Sequence, residues 1–181
     1  MNITIISGTN RQGSVSLRVA TYVAGLYNAM DGVRATVLDL RDLPADLLSP
    51  DAYANKPEAL QPMVDQVLTS DGLVVVTPEY NGSYPGVLKL FIDMLPFPDA
   101  FERRPVCYIG LAAGYWGGLR PVEQLQQVFG YRNAEQYCER VFFPSVYKTI
   151  GEDGAPEPGM AADLLAKQVP GFVAFVSSVK S

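Results

Sequence analysis

Histidine is absent from all 181 residues. Its absence removes the usual general base of triad hydrolysis and the commonest zinc ligand. Cysteine is scarce too. Cys107 and Cys138 are the only two; they lie far apart, each in a strand-like apolar run. They read as core thiols, not as a disulfide framework or a metal site. Charge is modest, 14 basic against 19 acidic side chains leaving −5. A nucleic-acid binder needs a basic stripe, and the sequence offers none. The same balance gives no long-range steering of anions, so any phosphate must be held locally by backbone N–H groups and one or two arginines. A membrane span needs about 20 consecutive apolar residues, and no such run exists. The opening Met1-Asn2-Ile3-Thr4-Ile5-Ile6 runs into a strand without a charged leader or cleavage site, so a cytoplasmic protein is expected.

What is present is an alternation of strand and helix patterns over a single domain, residues 1–181. Asn2–Ser7 reads as a buried strand. Ser14–Met30 reads as a helix, with Val15, Val19, Val23, Leu26 and Met30 at spacings of three and four. Arg34–Leu40 is a second strand, and a Pro-, Asp- and Ala-rich connection follows to about Lys56. A helix over Pro57–Ser70 leads to the β-branched run Gly72–Thr77, a short and continuously apolar third strand. Then come a helix over Pro85–Met94, a strand over Pro105–Leu111, a helix over Gly118–Phe129 and a strand over Tyr137–Phe143. The last helix, Met160–Val179, is expected to kink or break at Pro170-Gly171. Five strands with intervening helices predict an α/β, doubly wound parallel sheet of order 2-1-3-4-5 with helices on both faces.

In such a sheet ligands bind beyond the carboxyl ends of the strands, and three loops there are unusually furnished. The first is Ser7-Gly8-Thr9-Asn10-Arg11-Gln12-Gly13-Ser14-Val15-Ser16. Its small polar side chains let N–H groups approach an anion at the start of a helix, although Ser14 has a second reading as a simple N-cap. There is neither Gly-x-Gly-x-x-Gly nor a P-loop Lys-Ser/Thr ending, which argues against a dinucleotide or NTPase site. A terminal phosphate monoester fits better, with Arg11 supplying a charge-assisted contact. The second loop is Pro78-Glu79-Tyr80-Asn81-Gly82-Ser83-Tyr84-Pro85-Gly86, its path stiffened by two prolines. Tyr80 and Tyr84 offer flat faces, though Tyr84 reads equally as core packing. Asn81 and the backbone offer donors and acceptors for a heterocycle edge, while Glu79 reads as a surface carboxylate ahead of a catalytic base. The third is Ala112-Ala113-Gly114-Tyr115-Trp116-Gly117-Gly118-Leu119-Arg120. Its glycines indicate close backbone approach to something flat or bulky, with a surface glycine turn as the alternative. In the order 2-1-3-4-5 the three loops lie side by side. One takes a phosphate and two flank a ring, which suits flavin mononucleotide (FMN).

At these residues the chain resembles the NADPH-dependent FMN reductase family of flavodoxin-like fold, which includes FMN, quinone and chromate reductases and some azoreductases. Gly8-Thr9-Asn10-Arg11 with Ser14 and Ser16, Pro78-Glu79-Tyr80-Asn81 through Pro85-Gly86, and Gly114 with Gly117-Gly118-Leu119-Arg120 carry the resemblance. It implies phosphate contacts from Thr9, Arg11, Ser14, Val15 and Ser16. It also implies ring contacts from Pro78, Glu79, Tyr80 and Asn81, closed by Gly114, Trp116, Gly117 and Gly118. One departure stands out: Leu90 replaces the asparagine usual after Leu-Lys.

The activity implied is an FMN-dependent NAD(P)H oxidoreductase. Hydride would pass from NADPH (or NADH) to FMN, and then by ping-pong exchange to a small-molecule acceptor such as a quinone or free flavin. The cofactor supplies the chemistry, so no catalytic side chain is named. The rival class is an FMN-binding electron carrier with no nicotinamide site. The resemblance also implies a homodimer or homotetramer. The apolar stretch Phe91, Met94, Leu95, Phe97 and Phe101 reads first as core, with its loop-like half as a candidate subunit contact.

Overall fold

Each of the five apolar runs forms a strand in the computed structural model, which describes residues 1–180. The strands are β1 (Asn2–Ser7), β2 (Arg34–Asp39), β3 (Gly72–Pro78), β4 (Pro105–Leu111) and β5 (Glu135–Phe143). All neighbours pair in parallel, in the order β2-β1-β3-β4-β5. That is the flavodoxin-like arrangement the sequence predicts. Ser7 pairs with Val76 and Pro78 with Leu111, so β1, β3 and β4 end side by side at one sheet edge.

Alternate side chains of the central strands feed two separate apolar layers. Ile6, Val75 and Tyr108 face one layer, filled by α2 (Gln61–Leu68), α3 (Gly86–Met94) and α4 (Leu119–Tyr131). Ile5, Val74 and Ile109 face the other, filled by α1 (Val15–Asn28) and α6 (Met160–Lys180). Each such buried side chain is worth roughly 1.5–3 kcal/mol. Because both faces are covered, the strands read as continuous apolar runs.

Three expectations are corrected. The Leu43–Lys56 connection is not wholly irregular, since the segment from β2 to α2 folds into short 3-10 turns at Leu40–Asp42, Ala45–Leu48, Pro50–Tyr53 and Glu58–Leu60. Strand β5 begins at Glu135, two residues earlier than its apolar run. Helix α6 runs unbroken through Pro170. Proline removes one hydrogen bond there, but Leu165, Val169, Phe172 and Val176 anchor the helix on both sides of it. At Gly171 the Tyr137 hydroxyl packs directly over the helix, 2.1 Å from where a Cβ would stand.

The apolar stretch from the end of α3 to Phe101 is mostly core. Phe91, Met94, Leu95 and Phe101 are buried, while Phe97 is exposed, with the Arg132 guanidinium 4.9 Å from its ring centre. A short helix, α5 (Val146–Thr149), follows β5.

Candidate functional site

The β1–α1 loop is pressed against the sheet before it turns outward. The Gly8 N–H donates to the Val76 carbonyl at 2.8 Å, and a Cβ on Gly8 would sit 2.8 Å from the same oxygen. Thr9 is buried, and its hydroxyl accepts the Arg11 N–H at 3.3 Å. Ser14 then caps α1, its Oγ accepting the Leu17 N–H at 3.2 Å. No acidic residue occupies the first turn of α1. The N–H groups of Val15 and Ser16 have no acceptor within the helix, so the positive end of α1 is open to an anion. Ser16 is buried beside it, and Arg11 is exposed above.

The second loop is fixed at both ends. The Glu79 N–H donates to the Leu111 carbonyl at 2.9 Å, and Tyr80 and Ser83 exchange N–H···O bonds of 2.8 and 3.0 Å. Between them Asn81 and Gly82 take φ of 51° and 75°, a tight turn of the type that favours Asn-Gly. Ser83 Oγ donates to Gln124 Oε1 at 2.5 Å, clamping the loop to α4. Glu79 has a partner that sequence did not reveal: Arg120 Nη1 lies 3.2 Å from its carboxylate. Tyr84 packs on the apolar layer of α3 and α4.

In the third loop the close approach seen in the glycines is to the protein's own sheet. A Cβ on Gly118 would lie 2.6 Å from Leu111 N, and one on Gly110 would lie 2.8 Å from the Gly117 carbonyl oxygen. Tyr115 and Trp116 are exposed and meet edge to face, ring centres 5.3 Å apart. The chain after β5 zips onto this loop, with the Ser145 N–H on the Gly114 carbonyl at 3.2 Å and the Val146 N–H on the Ala112 carbonyl at 3.1 Å.

These elements enclose a cleft of about 290 Å³. Arg11, Gly13, Ser14, Val15 and Ser16 form one wall, Pro78, Glu79 and Tyr80 the floor, and Leu111, Ala112, Ala113, Val146 and Tyr147 the far side. Thr9, Asn81, Gly114, Trp116, Gly117 and Gly118 do not line it. Thr9 lies beneath the floor, its Oγ1 3.0 Å from the Tyr80 hydroxyl. Sequence reading missed Val146 and Tyr147. Only the Pro144-Ser145 turn after β5 signals them, with Ser145 at φ 52°. The cleft's donors fit a phosphate monoester with an extended chain: free helix N–H groups, hydroxyls and one arginine at one end, apolar and aromatic walls beyond. The donor set therefore fits FMN. Neither thiol belongs to it. Cys107 is fully buried and its pKa is pushed far up by that burial, and Cys138 is exposed on β5. Among the described residues no cluster of carboxylate, thiol or imidazole groups could hold a metal ion, and no helix is long and apolar enough to cross a membrane.

The chain is 28% identical over 186 residues to a quinone reductase of Escherichia coli, covering 99% of this chain and 97% of that one. It is 27% identical over 179 residues to a NAD(P)H-dependent FMN reductase of Pseudomonas aeruginosa, covering 97% and 95%. Among solved structures it resembles the flavoenzyme NAD(P)H:(acceptor) oxidoreductase of Paracoccus denitrificans in fold, with a TM-score of 0.81, 23% identity and coverage of 98% and 97%. The family model described as NADPH-dependent FMN reductase matches residues 1–145, and with those residues the chain belongs to that family.

Proposed function

We propose that the protein is an FMN-dependent NAD(P)H oxidoreductase that reduces a quinone or another small acceptor. The observation that carries this reading is the open N-terminus of α1, with Ser14, Ser16 and Arg11 at one end of a cleft floored by Pro78–Tyr80. Bound FMN would supply the redox chemistry, taking hydride from a reduced nicotinamide and delivering it to the acceptor. The protein's part is to hold and to exclude. The Val15 and Ser16 N–H groups and the Arg11 guanidinium neutralise the phosphate. Pro78 and the Tyr80 turn fix the path of the chain beyond it, and Ala112 and Ala113 keep the opposite wall low. Glu79 is paired with Arg120 and moves no proton in this scheme, in keeping with chemistry that needs no general base.

The test is anaerobic mixing of FMN-loaded protein with NADPH, and separately with NADH. Bleaching of flavin absorbance followed by its return on adding a quinone supports the assignment. Absorbance that stays unchanged with both nucleotides identifies an electron carrier instead. The difference between the nucleotides gives the preference, and sizing chromatography distinguishes homodimer from homotetramer.

A further inference from the structure

A second hollow lies on the other side of the β1–α1 loop. It measures about 390 Å³, within the range of small-molecule sites. Its walls are Leu43, Leu47 and Leu48 from the 3-10 turns after β2, and Val87 and Leu90 from α3, with Asn10 and Arg41 at the rim. It shares two structural elements with the cleft already described. Asn10 faces the hollow where its neighbour Arg11 faces the cleft, and the loop that floors the cleft at Pro78–Tyr80 ends at Gly86 on the wall of the hollow.

The lining specifies the occupant. Leu48 is 80% exposed, a large apolar group held at the mouth rather than tucked inside. Leu90 stands where the family resemblance leads one to expect asparagine, so this wall is apolar in this chain. Gly86 lines the hollow where there is open space, a Cβ there meeting no atom within 4 Å. Arg41 brings no net charge, because its guanidinium lies 2.6 Å from the Asp39 carboxylate. An additional Arg41 bond, to Gln12 Oε1 at 3.4 Å, ties the rim to the β1–α1 loop. The Arg41–Asp39 pair gives neither an anion nor a cation much gain here, while a neutral apolar group buries well.

We propose that this hollow is an accessory subsite for the apolar substituent of a neutral, carbonyl-bearing electron acceptor, so that alkyl-substituted quinones are preferred over their short analogues. The assignment rests on the oxidoreductase reading above. Transferring alkyl carbons from water to this wall favours the longer acceptor, and three added methylenes, when fully buried, are expected to lower KM roughly fiftyfold.

The test compares tetramethyl-1,4-benzoquinone with 2-butyl-3,5,6-trimethyl-1,4-benzoquinone, both fully ring-substituted so that neither adds to the exposed Cys138 thiol. In the FMN-loaded enzyme the butyl quinone is expected to show the lower KM. Leu48→Gln and Leu90→Asn should each erase that difference while leaving ferricyanide reduction unchanged. A second arm uses flavin-free protein labelled at leucine and valine methyl groups. Titration with the butyl quinone should shift Leu43, Leu48, Val87 and Leu90 resonances, and tetramethylbenzoquinone should shift them less. Equal KM values for the two quinones, or methyl resonances that do not respond, would overturn the subsite. So would methyl shifts that follow protein concentration rather than quinone, since a second copy of the chain would then fill the hollow. If the enzyme reduces neither quinone nor ferricyanide, the oxidoreductase reading fails by itself, and the methyl titration still decides whether the hollow binds alkyl quinones.

Discussion

The Thr9 hydroxyl and the Tyr80 hydroxyl lie 3.0 Å apart, joining the loop after β1 to the loop after β3 beneath the floor of the cleft. Thr9 also accepts the Arg11 N–H. One buried threonine thus sets both the path of the anion-binding loop and the position of the aromatic floor.

Removing that junction should cost cofactor affinity without unfolding the protein. Tyr80→Phe deletes one hydrogen bond, worth about 1 kcal/mol, and should raise the FMN dissociation constant roughly fivefold. Thr9→Val loses the Arg11 contact as well and should weaken binding further, by about tenfold or more. Quenching of FMN fluorescence on titration measures both. Equal affinities in wild type and Thr9→Val would show that the junction does not position the site.

Gly118 is a structural rather than a binding requirement. Its φ is +85°, and an added Cβ would approach Leu111 N to 2.6 Å. Gly118→Ala should therefore lower stability by about 2 kcal/mol or more, from left-handed strain combined with backbone overlap. Urea unfolding of the flavin-free protein tests this. A midpoint that does not move would mean that the third loop relaxes freely.

The legibility of these features followed from their physics. A buried parallel strand needs apolar side chains on both faces, so β1, β3 and β4 were plain as runs, and the sheet order followed from their number. The strand-end loops were equally visible, because glycine, proline and small polar residues beyond a buried strand have few other uses. Pairings across the chain carry no local signal. Nothing near Glu79 in sequence announces Arg120, forty-one residues away and 3.2 Å distant in the fold. Tyr147 was hidden for the same reason, since it reaches the cleft only because the chain after β5 zips onto Ala112 and Gly114. The glycines at 117 and 118 announced a close approach, but sequence could not say that Gly118 meets Leu111 and Gly110 and that Gly117 meets Phe142 and Pro144. The Pro170 break failed because local propensity was outweighed by apolar anchors on both sides.

Stability should fall in acid partly through Asp71. Burial tends to raise its pKa, but the hydrogen bond from Lys180 and that from the Asn2 N–H overcome this, leaving it below its ordinary value of 3.8. A folded pKa below the unfolded one contributes stability that is fully present above 3.8; it is lost as pH falls through the folded value. The Asp71 side chain is half-buried but Lys180 is exposed, so the effect is small and screened by salt. Asp71→Asn should lower the melting temperature slightly at neutral pH in low salt, and the gap from wild type should narrow as pH drops below the carboxylate range. A gap that widens in acid would contradict the assignment.

Gln168 is the most demanding residue of α6. It is 1% exposed, and its Nε2 donates to the Tyr108 carbonyl at 3.0 Å and the Glu139 carbonyl at 2.9 Å. Those two carbonyls flank the register shift where β4 meets β5, between Val106 and Tyr108. An irregular pairing leaves strand carbonyls without ladder partners, and one amide group satisfies two of them. Its own Oε1 is buried without a partner. Gln168→Leu would remove that unsatisfied oxygen, which stabilises, yet strand two carbonyls in an apolar layer, which destabilises. Leaving a buried acceptor unpaired costs about 1–3 kcal/mol, so two lost bonds outweigh one relieved atom and the net change should be about 2 kcal/mol of destabilisation. Gln168→Glu is the sharper probe. It is nearly isosteric but at neutral pH presents only acceptors to two carbonyls, and it should destabilise more than leucine does. Because a protonated carboxyl regains one donor, its deficit should shrink as pH is lowered toward 5. Chemical denaturation of both variants across that pH range measures the difference, and a glutamate variant as stable as wild type at pH 7 would show that the amide does not hold the bulge.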